Sequence, residues 1–186
     1  MSFEAGLLTI LVKMRVIAAE DALSIEQSFH DSDVDQFDDF LLSEGIVDEE
    51  NLLEALSEYF QVPAFDVVGY FFERHYLRMF PKDTLLRNVM IPLEVEENIM
   101  IVVTSRPNNP ELLVEIGENV SYDIQFYVGI GRNICDAIKE YYDKSETEVD
   151  MDEDRNEENI LMGEFHFLEV GEEDLVLTVD DEDKFE

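Results

Sequence analysis

Over the first sixty positions, apolar residues recur at helical spacing in two similar stretches separated by short polar breaks. Leu7 to Met14 is apolar enough for a packed helix, and Ala22, Leu23, Ile25 and Phe29 continue the pattern over Ala18 to Phe29. The polar, acidic run His30 to Asp35 reads as a linker. Phe37, Phe40, Leu41 and Leu42 then mark a short amphipathic helix that Gly45 can end, because glycine accepts the left-handed cap conformation. Asp48 is a good N-cap for a further helix with Leu52, Leu53, Leu56, Tyr59 and Phe60 on its buried side. Setting LVKMRVIAAEDAL (Leu11 to Leu23) against LLSEGIVDEENLL (Leu41 to Leu53) aligns both the apolar positions and the break. This predicts an internal repeat of about 30 residues, each unit a helix, a turn and a second helix.

Pro63 stops the helical run, since proline cannot continue it. Beyond it the period shortens toward two. Ala64 to Val68 reads as a short strand, and Glu73 to Arg87 as a helix that Pro81 interrupts. Val89 to Val95 and Ile99 to Thr104 form a hairpin through Glu96, Glu97 and Asn98. Pro110 opens a helix to about Ile116, Asp123 to Val128 alternates like a strand, and Gly129 and Gly131 lead into a final helix carrying Ile134, Ala137, Ile138 and Tyr141. The expected architecture is α+β: a helical repeat domain (1–60), a small two-layer sheet-and-helix domain (61–143), and an acidic tail (144–186).

Charge sharpens this picture. The chain carries 46 acidic against 12 basic residues, a net of −34. Such a surface repels phosphate backbones and anionic head groups, so nucleic acid is not an expected partner and a basic protein surface is. From Lys144 onward there are 18 acidic and 3 basic residues, a net of −15. Ser145 to Asn159 is expected to be disordered, being too poor in apolar residues to offset chain entropy. Two apolar islands, Phe165 to Val170 and Leu175 to Val179, stand out within the tail. Phe165, Phe167, Leu168, Leu175, Val176 and Leu177 are candidate partner-docking residues, as a strand added to a sheet edge.

Candidate chemistry is sparse. His30, His75 and His166 are scattered, which predicts no metal site. Asp150, Asp152 and Asp154 mimic the start of a calcium loop, but Arg155 stands where glycine is needed and Leu161 where a bidentate Glu is needed. The lone Cys135 lies beside the apolar stripe of the last helix, where an inert thiol is the default, and a single cysteine fits a reducing compartment. Gly129-Ile130-Gly131 has Ile134 where a dinucleotide fingerprint has its third glycine, and reads as a tight turn. Leu7 to Val12 is too short to span a bilayer, so no direct membrane insertion is expected and a cytoplasmic location is. No cofactor is expected.

Taken in order, these segments resemble the N-terminal domain of type II secretion and type IV pilus assembly ATPases. The likeness covers roughly Leu7 to Tyr142 and is clearest over GIVDEENLLEALSEYFQVPAFDV (Gly45 to Val67), where Pro63 and Asp66 occupy similar positions. FFERHYLRMFPKDTLLRNVMIPLEVEENIMIVVTS (Phe71 to Ser105) and RNICDAIKEYYDK (Arg132 to Lys144) extend it. In that family the domain docks the motor onto the cytoplasmic part of an inner-membrane platform protein. The resemblance therefore implies a bacterial protein–protein interaction module, an adapter or regulator whose partner is a secretion or pilus ATPase or the platform protein. No G-x-x-x-x-G-K-[ST] phosphate loop occurs in the chain, so ATP hydrolysis is not expected and the chain does not read as an enzyme.

Part of the family binds cyclic di-GMP through the helical repeats, by a motif of Arg-Leu-Gly, a Leu three residues on, a Gly, paired Leu and a final Gln. In the second repeat here Leu41, Gly45, Leu52 and Leu56 match. Gln36, Phe37 and Asp38 replace Arg-Leu-Gly, and Tyr59 replaces the Gln. The first repeat departs further, with Gly6, Leu7 and Leu8 at the start and Arg15 at the second glycine position. The packing framework survives while the groups that recognise two phosphates are gone, and Asp38 is expected to add repulsion. A cyclic di-GMP sensor with a diverged site is the alternative function, and the lost contacts argue against it.

Overall fold

The computed structural model describes residues 2–142. The first half holds α1 (Phe3–Lys13), α2 (Ala22–His30), α3 (Phe37–Ser43) and α4 (Glu49–Phe60). Local chemistry sets their ends. Ser2 caps α1 by accepting from the Ala5 N–H (3.2 Å), and Asp48 caps α4 by accepting from the Asn51 N–H (2.8 Å), each satisfying an otherwise orphaned donor. α1 and α3 stop in the same way. Arg15 (φ 63°) and Gly45 (φ 66°) take the left-handed conformation, and the next amide reaches back to the helix, Val16 to the Leu11 carbonyl (3.0 Å) and Ile46 to the Leu41 carbonyl (2.9 Å). Leu7, Leu8, Leu11, Phe37, Phe40, Leu41, Leu52, Ala55 and Leu56 form the core between α1, α3 and α4. α2 buries no residue completely.

The second half is a three-stranded sheet with order β1-β2-β3: β1 (Met90–Glu96), β2 (Ile99–Thr104) and β3 (Asp123–Val128). β1 pairs antiparallel with β2 across the tight turn at Glu97 (φ 54°) and Asn98, and β3 lies parallel to β2. A parallel neighbour needs a crossover, which α7 (Pro110–Gly117) supplies; Asn109 caps it by accepting from the Glu111 N–H (3.1 Å). Met100 to Thr104 are buried without a break, as a central strand covered on both faces requires. α5 (Arg74–Leu77) and α6 (Lys82–Arg87) pack on β1, and α8, helical over residues 131–142, buries Ile134 and Ile138. β1 is one of the two outer strands and carries Pro92, with a register shift between Pro92 and Glu94.

The expected α+β class holds, and most elements fall where periodicity puts them. Ala64 to Val68 is the exception. It makes one isolated parallel bridge, Ala64 to Val128, rather than a strand. The Phe65 N–H donates to the Val128 carbonyl (2.9 Å), and then the chain turns away: the Asp66 carboxylate accepts from the Val68 N–H (2.9 Å) and Gly69 adopts φ 72°. Val128 and Ile130 belong to the same apolar cluster as α1, α3 and α4, so sheet and helices pack against one another.

Candidate functional site

The positions matching the nucleotide motif lie in two places. Leu41, Leu52 and Leu56 are wholly buried and can touch no ligand, while Gly45 makes the turn after α3. Gln36, Asp38 and Tyr59 gather where the N-termini of α1 and α3 meet the end of α4. Tyr59 meets the Phe3 ring edge-on (5.1 Å between centroids) and the Phe60 ring likewise (4.9 Å). A Cβ built on Gly6 would lie 2.5 Å from Tyr59 Cε2, so that glycine is required by a close approach. Tyr59 thus fills the space that a side chain at position 6 would take.

Asp38 is almost fully enclosed, its side chain 3% exposed. A buried carboxylate needs a charged partner, and Arg106 provides it. One guanidinium nitrogen donates to Asp38 Oδ1 (2.9 Å) and Gln36 Oε1 (3.1 Å), the other to the Ser105 carbonyl (2.8 Å). The same group lies 4.4 Å above the Phe3 ring. This corrects the expectation that Asp38 confronts a ligand: its charge is matched internally. Sequence reasoning missed Arg106. The available signal was its rarity, since each of 12 cations in so acidic a chain can find a carboxylate.

A second clasp lies nearby. Arg132 at the start of α8 donates to Glu49 Oε1 (2.7 Å), and the Asn133 amide to Glu49 Oε2 (3.3 Å). Asp39 sits between these clasps with Oδ1 buried and no hydrogen-bond partner among the described residues. Burial, and then the neighbouring Asp38 charge, raise its pKa against the opposing pull of Arg132 and Arg106.

Beside the Tyr59 cluster is a cavity of about 270 Å³ bordered by Phe3, Glu4, Asp35, Gln36, Tyr59 and Phe60. A larger, polar hollow of about 590 Å³ lies where the turns after α1 and α3 meet, with Arg15, Gly45, Asp48 and Asn51 on its walls. Elsewhere the chemistry is quiet. Cys135 is half-buried and burial pushes its thiol up, away from the reactive thiolate. Hydrogen bonds from Asn88 and Arg87 hold Glu115 below its ordinary value. Gly129 is required by Val103 and the Phe65 carbonyl, which a Cβ would meet at 2.8 and 3.3 Å, and so packs against protein. Among the described residues there is no cluster of three metal-ligating side chains, and no helix is long and apolar enough to cross a membrane. Asp150, Asp152, Asp154 and His166, and the docking candidates Phe165, Phe167, Leu168, Leu175, Val176 and Leu177, lie outside the described residues.

The described residues define a small α+β class of domain, a mixed three-stranded sheet packed against a capped helical cluster. Comparison with known proteins gives that class its relatives. Residues 73–148 match the MshEN domain. Over 102 residues the chain is 24% identical to the type IV pilus assembly ATPase PilB of Myxococcus xanthus (strain DK1622), spanning 55% of this chain but only 18% of that protein. The fold is shared with the solved structure of MshE with cdg (cyclic di-GMP), at TM-score 0.59 and 16% identity, covering 73% of this chain and 98% of the other. It is shared also with the N-terminal domain of XpsE, at TM-score 0.54 and 16% identity, covering 75% and 95%. These matches bear out the resemblance to the N-terminal domain of secretion and pilus ATPases.

Proposed function

We propose that the chain is a non-catalytic protein–protein interaction module, an adapter or regulator of a type II secretion or type IV pilus machine. The observation that carries this reading is the fate of the nucleotide-motif positions. The fold is that of MshE and XpsE, yet Tyr59 fills the gap at Gly6 and Arg106 is spent on Asp38 and Gln36. What supports docking is thus a retained framework whose nucleotide-recognition groups have been replaced by side chains that pack against one another. The lack of a phosphate-binding loop in this chain supports a non-enzymatic role. A secretion or pilus ATPase, or its inner-membrane platform protein, is the proposed partner, in the cytoplasm. The tail islands Phe165 to Val170 and Leu175 to Val179 are proposed as an additional docking strand, with the acidic residues around them steering encounter.

One observation favours the alternative, a cyclic di-GMP sensor: MshE, of the same fold, was solved with cdg. Calorimetric titration separates the readings. The module gives no saturable heat with cyclic di-GMP, whereas a sensor gives a one-site isotherm. The direct test of the module is affinity capture from a bacterial lysate with the full chain and with a version ending at Asp143. Recovery of the ATPase or platform protein supports it, and loss on truncation puts recognition in the tail. Failure of both versions to retain either protein overturns it.

A further inference from the structure

We propose that the cavity beside Tyr59 receives an arginine side chain from a basic segment of the partner protein. This rests on the module reading and specifies the chemistry of its ligand. Two observations on the cavity itself point to a planar cation. Part of its wall is aromatic, with Tyr59 and Phe60 meeting edge-on at 4.9 Å and Phe3 packed against both, beside the polar Gln36, Arg106 and Asn108. Its rim carries two carboxylates, Glu4 and Asp35, and neither has an ion-pair or hydrogen-bond partner for its side chain among the described residues. Arg106 also borders the space, held by Asp38 behind it, so the lining carries two carboxylates against one cation and is negative by one charge.

Aromatic faces attract cations through the ring quadrupole, and arginine adds a flat surface for stacking and a fork of donors for carboxylates. The protein already contains this pairing internally, where the Arg106 guanidinium lies 4.4 Å over the Phe3 ring and donates to Asp38. At about 270 Å³ the cavity falls below the roughly 300–1,000 Å³ of pockets for drug-sized ligands, which suits one side chain better than a dinucleotide. The net charge of −34 draws basic segments toward it.

The test titrates the full chain with a fluorescent decapeptide of alternating Gly and Arg, against the same peptide with citrulline, the neutral isostere, in place of Arg. Binding of the Arg peptide is expected to shift the ring resonances of Tyr59 and Phe60 and to weaken with salt. The citrulline peptide and the double variant Glu4→Gln/Asp35→Asn should each bind about tenfold more weakly. The control Glu111→Gln/Asp123→Asn, an equal charge change on exposed positions elsewhere, should stay within about twofold. Equal weakening by the control reduces the effect to diffuse attraction and overturns the proposal, as do unmoved Tyr59 and Phe60 resonances. The two readings fail separately. A chain that ignores the peptide but captures the secretion partner loses the cavity and keeps the module. A chain that binds the peptide through Tyr59 and captures no such partner does the reverse.

Discussion

α1 and α3 end in the same turn, thirty residues apart, yet the helices that follow them have different fates. α4 has a working cap at Asp48 and buries Leu52, Ala55 and Leu56. α2 has Asp21 at its N-cap with no side-chain hydrogen bond, buries no residue fully, and leaves Leu23 71% exposed. Similar backbone frameworks therefore do not imply equal shares in the core. The turn is kept by backbone hydrogen bonds that almost any sequence can make, while the core depends on which side chains follow.

Core truncation should break the comparison most widely. Leu56→Ala is expected to cost about 2–5 kcal/mol, and Leu23→Ala to stay within about 0.5 kcal/mol, as read from urea unfolding midpoints. Asp38→Ala comes next, at about 2 kcal/mol, because it strands the Arg106 guanidinium against Gln36 and the Ser105 carbonyl; the 30% exposure of Arg106 lets water relieve part of the loss. Removing the caps sharpens the contrast: Asp48→Ala should cost about 1 kcal/mol, and Asp21→Ala almost nothing. The two turns should answer in opposite directions. Gly45→Ala is expected to lose about 1 kcal/mol and Arg15→Gly to gain up to about as much, since only glycine takes the left-handed conformation without strain.

The smallest effect depends on pH. Asp39 has its pKa raised in the fold, so the folded state favours its neutral form. Its contribution is fully present below the unfolded value of 3.8 and is lost as pH rises through the folded value. Asp39→Asn should therefore raise the melting temperature at pH 7, by less than about 1 kcal/mol in stability, and the gain should vanish near pH 3. A variant that gains equally at both values would place the effect elsewhere.

What could be read from the chain in advance was what depends on neighbours. The Asp48 cap, the Gly45 turn, the hairpin and Pro110 at the head of α7 each need only a few consecutive residues. The mispredicted strand at Ala64 to Val68 shows the limit, since Asp66 and Gly69 turn it after one bridge. The site was legible only in part. Asp38 and Arg106 stand 68 residues apart, and no periodicity joins them. Taken alone, Asp38 reads as a repulsive charge facing a ligand, because burial and pairing are properties of the folded surroundings. The complementarity of Gly6 and Tyr59 was hidden for the same reason.

Pro92 has a consequence for how this protein meets others. Strand β1 is one of the two outer strands, and proline there offers no N–H, while the register shift beside it breaks the regular ladder. An incoming strand would find an interrupted row of donors along that side. That edge is in this way guarded against being lengthened by stray chains, whereas the opposite edge, β3, carries one bridge to Ala64. Along β1, molecular choice is left to side chains and their shapes, which discriminate among neighbours far more sharply than a backbone that every polypeptide shares.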